Sequence, residues 1–219
     1  MCVVGGCENR TRSTVNMASK GEITKNRLMD VAEKLFLSNG FGATTIDEII
    51  KEAGITKGGF FYHYEGKNDL AYALMKRYQE QDALLFSGLF ERAKELTDDP
   101  LQQMLVFVKL LAEMMEGLGG LHPGCLVASV TYETDQVNDE VKAITAEIVM
   151  DWRRVFKEQI EKINEVYEPQ EPKCSDDLAD LLSTIIEGGI IVSRALNDAG
   201  IFVRQLLEYR SYIGLLYKK

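Results

Sequence analysis

The stretch from Thr45 to His63 constrains this chain most, because it specifies two short helices and the tight turn between them. Thr45, Ile46, Asp47 and Glu48 form a capping box, in which the threonine hydroxyl meets an otherwise unpaired amide and Glu48 reaches back. Ile49, Ile50 and Ala53 then mark the apolar side of a short helix that stops at Gly54. After Ile55, Thr56 is a second good N-cap, and the spacing predicts a further short helix from Lys57 to about His63. Gly58 and Gly59 weaken that helix by up to about 1 kcal/mol each relative to alanine. Two such residues in a seven-residue helix suggest close approach to something outside it. A longer amphipathic helix precedes the pair, from Ile23 to Asn39, with Leu28, Val31, Ala32, Leu35 and Phe36 on one side and Gly40 as its stop.

The rest of the chain continues in helical periods. A long stretch from Asn68 to about Glu95 carries Leu70, Leu74, Tyr78, Leu85 and Leu89. Asp99 and Pro100 open a mostly apolar helix to about Met115. Gly117 to Gly124 is a cluster of breakers, followed by a short apolar segment from Cys125 to Tyr132. A long helix is predicted from Asn138 to about Tyr167, then a loop at Pro169, Pro172 and Cys174. Ser175 is expected to cap a helix to about Asn197, and Gly200 to separate it from a last one, Ile201 to Tyr217. No segment alternates in the manner of a strand. The expected fold class is all-α with about nine helices: a flexible arm at 1–20, a three-helix helix-turn-helix domain at 21–67, and a helical domain at 68–219.

Two short helices meeting at Gly54, Ile55 and Thr56, packed behind a first helix, have the arrangement of a helix-turn-helix DNA reader. The overall formal charge of −9 runs against that reading only if the chain is treated as one object. Residues 1–70 hold nine basic and nine acidic residues, which leaves 16 basic against 25 acidic in the remainder. The acid excess lies wholly outside the reader, where it keeps the rest of the molecule off the duplex. The four cysteines, Cys2, Cys7, Cys125 and Cys174, have no paired spacing, and only His63 and His122 could join them as ligands, so no metal site, disulfide framework or cofactor is expected. The longest apolar run, Met104 to Leu111, is interrupted by Lys109, so no membrane span is expected. The N-terminal patch from Cys2 to Cys7 is too short for an export signal, Met17 offers an alternative start, and a cytoplasmic protein is expected.

As a string, the segment from Ile23 to Leu70 resembles the DNA-binding domain of the TetR (tetracycline repressor) family. The matching residues are Ala32, Leu35, Phe36, Gly40, Phe41, Thr44, Thr45, Ile46, Ile49, Ala53, Gly54, Ile55, Thr56, Gly58, Phe60, His63, Tyr64, Lys67 and Leu70. The candidate DNA contacts are Thr45 and Thr56 at helix N-termini, Lys57 and the side-chain-free Gly58 and Gly59 in the third helix, Tyr62 and His63 at its far end, and Lys67 at the next helix start. The sequence departs from the family at Phe61, where a tyrosine is usual and Phe cannot donate to phosphate. Either Tyr62 or His63 takes over that contact, or Lys57 and Lys67 carry more of the affinity. Phe60 reads as core.

The resemblance implies a regulator of transcription, a repressor released from a palindromic double-stranded DNA operator by a small effector. It further implies a homodimer joined through the last two helices. There Leu178, Leu181, Leu182, Ile185, Ile186, Ile190, Ile191, Ala195, Phe202, Leu206 and Leu207 exceed one amphipathic stripe, and Gly188 and Gly189 permit close approach. Of these, Leu182, Ile186, Ile190, Phe202 and Leu206 are the candidate interface; an internal core is the alternative. Phe107, Leu111, Met115, Cys125, Tyr132 and Trp152, with Met114, Leu126 and Phe156, are candidates to line an effector pocket. Cys125 has a second reading as an oxidant- or electrophile-sensing thiol, because a cysteine at a helix N-terminus has a lowered pKa. Two other classes compete with this reading: a cysteine hydrolase using Cys125 and His122, for which three residues across a Pro-Gly turn is poor geometry, and a protein-binding helical adaptor. No enzymatic activity is expected.

Overall fold

The computed structural model describes residues 19–218, so Cys2, Cys7, Met17 and all but the last two residues of the expected arm lie outside the described residues. Nine α-helices and one 3-10 turn are found there, with no strand among the described residues. They are α1 (Lys20–Asn39), α2 (Ile46–Ala53), α3 (Lys57–His63), α4 (Lys67–Leu96), α5 (Pro100–Gly117), α6 (Leu126–Tyr132), α7 (Asp139–Asn164), α8 (Ser175–Leu196) and α9 (Gly200–Leu216).

Helix α1 begins three residues earlier than its apolar pattern suggests. Ser19 and Glu22 form a capping box there, so Ser19 and Lys20 belong to the helix start and not to an arm. The box of Thr45 and Glu48 opens α2 as expected, and Thr56 caps α3 by accepting from the Gly59 amide at 3.1 Å. Gly54 makes the turn between them at φ 62, ψ 40, a left-handed conformation that a side chain disfavours. Leu28, Ala32, Phe36, Phe41, Ile49, Ala53, Phe60, Leu70 and Leu74 close the core of this unit. Burying Phe60 alone contributes about 1.5–3 kcal/mol, enough to offset the two glycines of α3. The first turns of α4 belong to the same unit, since Arg77 pairs with Asp30 at 2.6 Å and Glu33 at 2.9 Å on α1.

Behind it, α4 packs on α5 and α7, α7 on α8, and α9 on both α5 and α8. Helix α8 differs from expectation at its start. Ser175 is its first residue, with its hydroxyl accepting from Asn164 Nδ2 at 3.2 Å, and Cys174 occupies the cap position without a side-chain bond. Asp176 and Asp177 in the first turn supply the negative charge that this helix end favours.

The expected dimer interface is corrected by burial within the single chain. Leu182 and Leu206 are fully enclosed, Ile190 and Phe202 are buried, and Ile186 faces an internal cavity. Gly189 serves α9 in the same way, because a Cβ there would stand 2.5 Å from the Phe202 ring. The inward stripe of α8 repeats at helical spacing, and the periodic pattern cannot by itself tell a neighbour in the same chain from one in another. Ile191, Val192 and Leu196 on α8, and Tyr212 and Leu215 on α9, are the large apolar residues left exposed on these two helices, with Leu196 at 67%.

Candidate functional site

One face of α2 and α3 gathers most of the residues expected at DNA. Thr45, Thr56, Lys57, Gly58 and Tyr62 are exposed, Tyr62 by 83%, while Gly59 and His63 are half-buried. Lys57 lies 3.7 Å from Asp47, but both side chains are largely in water, where such a pair contributes about 0–1 kcal/mol and a phosphate can displace it. Apart from its chain neighbours and the adjoining backbone of its own helix, nothing lies within 4 Å of the position where a Cβ on Gly58 would stand, so no contact inside the protein demands a glycine there. Gly59 differs, since its Cβ position is 3.4 Å from the Thr56 hydroxyl beneath it. Phe60 is core, as read from the sequence, and Phe61 is half-exposed beside Tyr62.

Lys67 is the correction on this face. Its ammonium donates to the carbonyls of Phe41 at 2.7 Å, Thr44 at 2.9 Å and Gly42 at 3.3 Å, and lies 4.3 Å from the centre of the Phe41 ring. All three protons are engaged inside the protein. Burial pulls its pKa down, with the nearby Glu133 acting in the opposite direction. Lys67 therefore fastens the turn between α1 and α2 rather than reaching toward a phosphate.

The same turn is also held by the C-terminal half, through a residue that the sequence did not single out. Glu133, just past the end of α6, accepts from the amides of Phe41 at 2.9 Å and Gly42 at 2.6 Å. Ser129 on α6 donates to the Phe36 carbonyl at 3.2 Å, and the Asn138 amide donates to Asn68 on α4 at 3.1 Å. The signal for Glu133 was weak, because an isolated glutamate in a polar turn reads as a solvated one. Long helix α4 is thus accompanied by a second connection between the two halves.

Above that junction lies a cavity between α4, α5, α7 and α8, with about 540 Å³ of atom-free space, its mouth included. Leu111, Met114, Met115, Trp152 and Phe156 line it, as expected, together with Phe86, Ile186, Ile190 and Phe202. Phe107 sits one layer behind, stacked on Phe90 at 4.0 Å between ring centres. Leu126 is buried away from the cavity, Cys125 borders a separate shallow depression, and Tyr132 is 78% exposed. These three readings are corrected: α6 packs against α7, α1 and α4 outside the cavity, and none of its residues lines it.

The polar groups of the cavity were not predicted. Asp82 accepts from Trp152 Nε1 at 2.9 Å, and burial pushes its pKa up to about 6. Glu187 is raised by burial as well, and its Oε2 is buried with no hydrogen-bond partner. His122 is held below its usual pKa by burial and by neighbouring Arg194, which favours the neutral ring. Tyr78 reaches within 3.7 Å of the Cys125 sulfur.

Cys125 does occupy the N-terminal cap of α6, yet its pKa is pushed up to about 12, first by burial and then by the Glu187 carboxylate. A protonated, buried thiol is a poor nucleophile, so the electrophile-sensing alternative loses its physical basis. The adjacent His122 uses Nδ1 to accept from the Gly124 amide at 3.2 Å and sets its ring edge-on to Phe202. Among the described residues no group of three or more acidic, histidine or cysteine side chains could hold a metal, and no helix is long and apolar enough to cross a membrane.

Comparison with known proteins places both halves. Residues 28–74 match the family of bacterial regulatory proteins of the tetR type, and residues 100–204 match the C-terminal domain of LmrA/YxaF-like transcriptional regulators. Among curated relatives, the HTH-type transcriptional regulator LmrA of Bacillus subtilis is 27% identical over 90% of this chain and 97% of its own length. The YxaF regulator of the same organism is 23% identical over 83% of this chain and 90% of its own. QacR of Staphylococcus aureus matches only 26% of the chain, at 36% identity. Two solved structures share the fold: a TetR transcriptional regulator from Chloroflexus aurantiacus, with a TM-score of 0.74 at 23% identity over 89% of this chain and 96% of its own, and a regulatory protein TetR from Rhodobacter sphaeroides, with 0.71 at 22% identity over 88% and 97%. The helix-turn-helix geometry, the matched families and the shared fold agree, and the chain belongs to the TetR family as a DNA-binding transcriptional regulator.

Proposed function

We propose that this regulator is a cytoplasmic homodimeric repressor that leaves a palindromic operator when a small molecule fills the cavity between α4, α5, α7 and α8. The observation that carries this reading is the double connection between that cavity and the DNA reader. Helix α4 contributes Asp82 and Phe86 to the cavity and begins in the reader; α7 contributes Trp152 and Phe156 and packs on α6, past whose end Glu133 grips the reader's α1–α2 turn. A ligand that displaces the cavity walls therefore acts on the reader along two routes. Thr45, Thr56, Lys57, Gly58, Gly59, Tyr62 and His63 form the DNA face, with α1 to α3 and the first turns of α4 as the reader and the helices behind them as the sensor. Exposed Tyr62 takes the phosphate contact that Phe61 cannot make.

One recognition helix reads too few base pairs for operator specificity, and two half-sites about 34 Å apart require two copies of the reader. The exposed face at Ile191, Val192, Leu196, Tyr212 and Leu215 is where a second copy packs. Selecting bound duplexes from a random pool with the full chain should return a palindrome whose half-sites are one helical turn, or a multiple of it, apart. Leu196→Glu should shift sedimentation to a monomer and lose that selection. Recovery of single, unpaired half-sites by a monomeric wild type would overturn the dimeric reading.

A further inference from the structure

The walls of the cavity are apolar and aromatic, yet two carboxylates face into it, Asp82 from α4 and Glu187 from α8, and no lysine or arginine lines it. Its one basic side chain, His122, is kept neutral by its surroundings. Asp82 has the Trp152 indole N–H as its partner and Glu187 the Cys125 thiol, both uncharged, while Glu187 Oε2 is enclosed with none. Burying a carboxylate without a compensating charge costs free energy, and such groups are normally paired. Here the compensating charge is missing from the chain itself, at the cavity between α4, α5, α7 and α8. The faces of Trp152, Phe86 and Tyr78 add the negative quadrupole of aromatic rings to the same walls.

We propose that the cavity takes a lipophilic ligand with one positive charge, a quaternary ammonium or protonated amine on an aromatic or alkyl body, whose cationic head lies against Asp82 and Glu187. This rests on the effector reading above and narrows it to a chemical class. The positive head supplies the counter-charge that both carboxylates lack, and the body replaces water against Leu111, Met115 and Phe156. A neutral ligand carrying only hydroxyls would satisfy hydrogen bonds but leave the charge uncompensated.

The chain has a single tryptophan, Trp152, in the cavity wall, so intrinsic fluorescence of the full-length protein reads occupancy directly. The probes are (4-phenylbutyl)trimethylammonium and its neutral isostere with tert-butyl in place of trimethylammonium. The cation should bind at least about tenfold more tightly, a preference worth roughly 1.4 kcal/mol. Asp82→Asn, which keeps an acceptor for Trp152, and Glu187→Gln should each lower cation affinity about fivefold or more. Both should leave isostere affinity unchanged, which also shows that the cavity is intact. The double variant should erase the preference. Equal binding of the two probes to the wild type, or a preference that survives in the double variant, would overturn the proposal. So would release of operator by the matching carboxylate, 5-phenylpentanoate, with no binding of the cation, although the effector reading would then stand. Selective binding of the cation without any loss of operator affinity would do the reverse, supporting the ligand class and sinking release.

Discussion

Gly58→Leu should lower operator affinity by 100-fold or more and leave the fold intact. The position is exposed on α3, and apart from its chain neighbours and the adjoining backbone of its own helix no atom lies within 4 Å of where a Cβ would stand. Replacing a helical glycine stabilises a helix by up to about 1 kcal/mol, so the variant should melt at or slightly above the wild-type temperature. On the proposed DNA face a leucine there stands between the backbone of α3 and the major groove, and it would hold the helix away from base edges. The loss expected is about 2.7 kcal/mol or more, or two powers of ten. Electrophoretic shift and thermal melting on the same preparation check both halves of the statement. Retained affinity would mean that α3 does not approach DNA along this face, and a lower melting temperature would mean that the glycine serves the fold instead.

Lys67→Met should destabilise the protein by about 2–4 kcal/mol, because three carbonyls lose a charged donor in a partly enclosed turn while the aliphatic stem is retained. Denaturant unfolding measures the loss. At a protein concentration and temperature where the variant is fully folded, the salt dependence of DNA binding should keep its wild-type slope, since no phosphate contact has been removed. A slope reduced by about one unit with stability unchanged would restore Lys67 to the DNA face and contradict the inward geometry.

Lys67 also shows where sequence reading stops. Its register in the motif was legible, and so was its position at the start of a helix, yet the same residue in the same place serves the turn rather than the phosphate. Only the path of residues 40–44 back over α4 decides between them. The local code was legible wherever hydrogen bonds close within a few residues. The Thr45–Glu48 box, the Thr56 cap, Gly54 in the turn and the Asp99–Pro100 start all follow from chemistry contained in four or five positions. Ser19 and Glu22 carry the same capping-box pattern, which read alone would have placed the start of α1 correctly.

Burial partners far apart in sequence were not legible. Leu182, Ile190 and Leu206 have the hydrophobicity of an interface, and the enclosed positions of Phe202 and Ser193 on the neighbouring turns show that they form the inner side of α8 and α9. Asp82, Glu187 and Glu133 went unnoticed for the opposite reason. In a chain with 34 acidic residues an individual carboxylate reads as solvated surface, and only the packing of α4 and α8 on α7, or of α6 against α1, partly removes these three from water. Cys125 was recognised as a helix-start thiol, but whether its pKa falls or rises depends on its burial first and then on the Glu187 carboxylate beside it.

The account stands or falls on the opposition between cavity ligand and operator. Linkage requires that if a ligand lowers DNA affinity by some factor, saturating DNA lowers ligand affinity by the same factor. Calorimetric titration of the cavity ligand into free protein, and then into protein saturated with the selected operator, measures that factor from one side; titration of operator with and without ligand measures it from the other. Equal reductions in both directions, within the roughly 5- to 150-fold range of such couplings, are predicted. A ligand that enters the cavity with the same affinity whether or not operator is bound would contradict release, leaving the protein a DNA-binding regulator whose cavity does not control it.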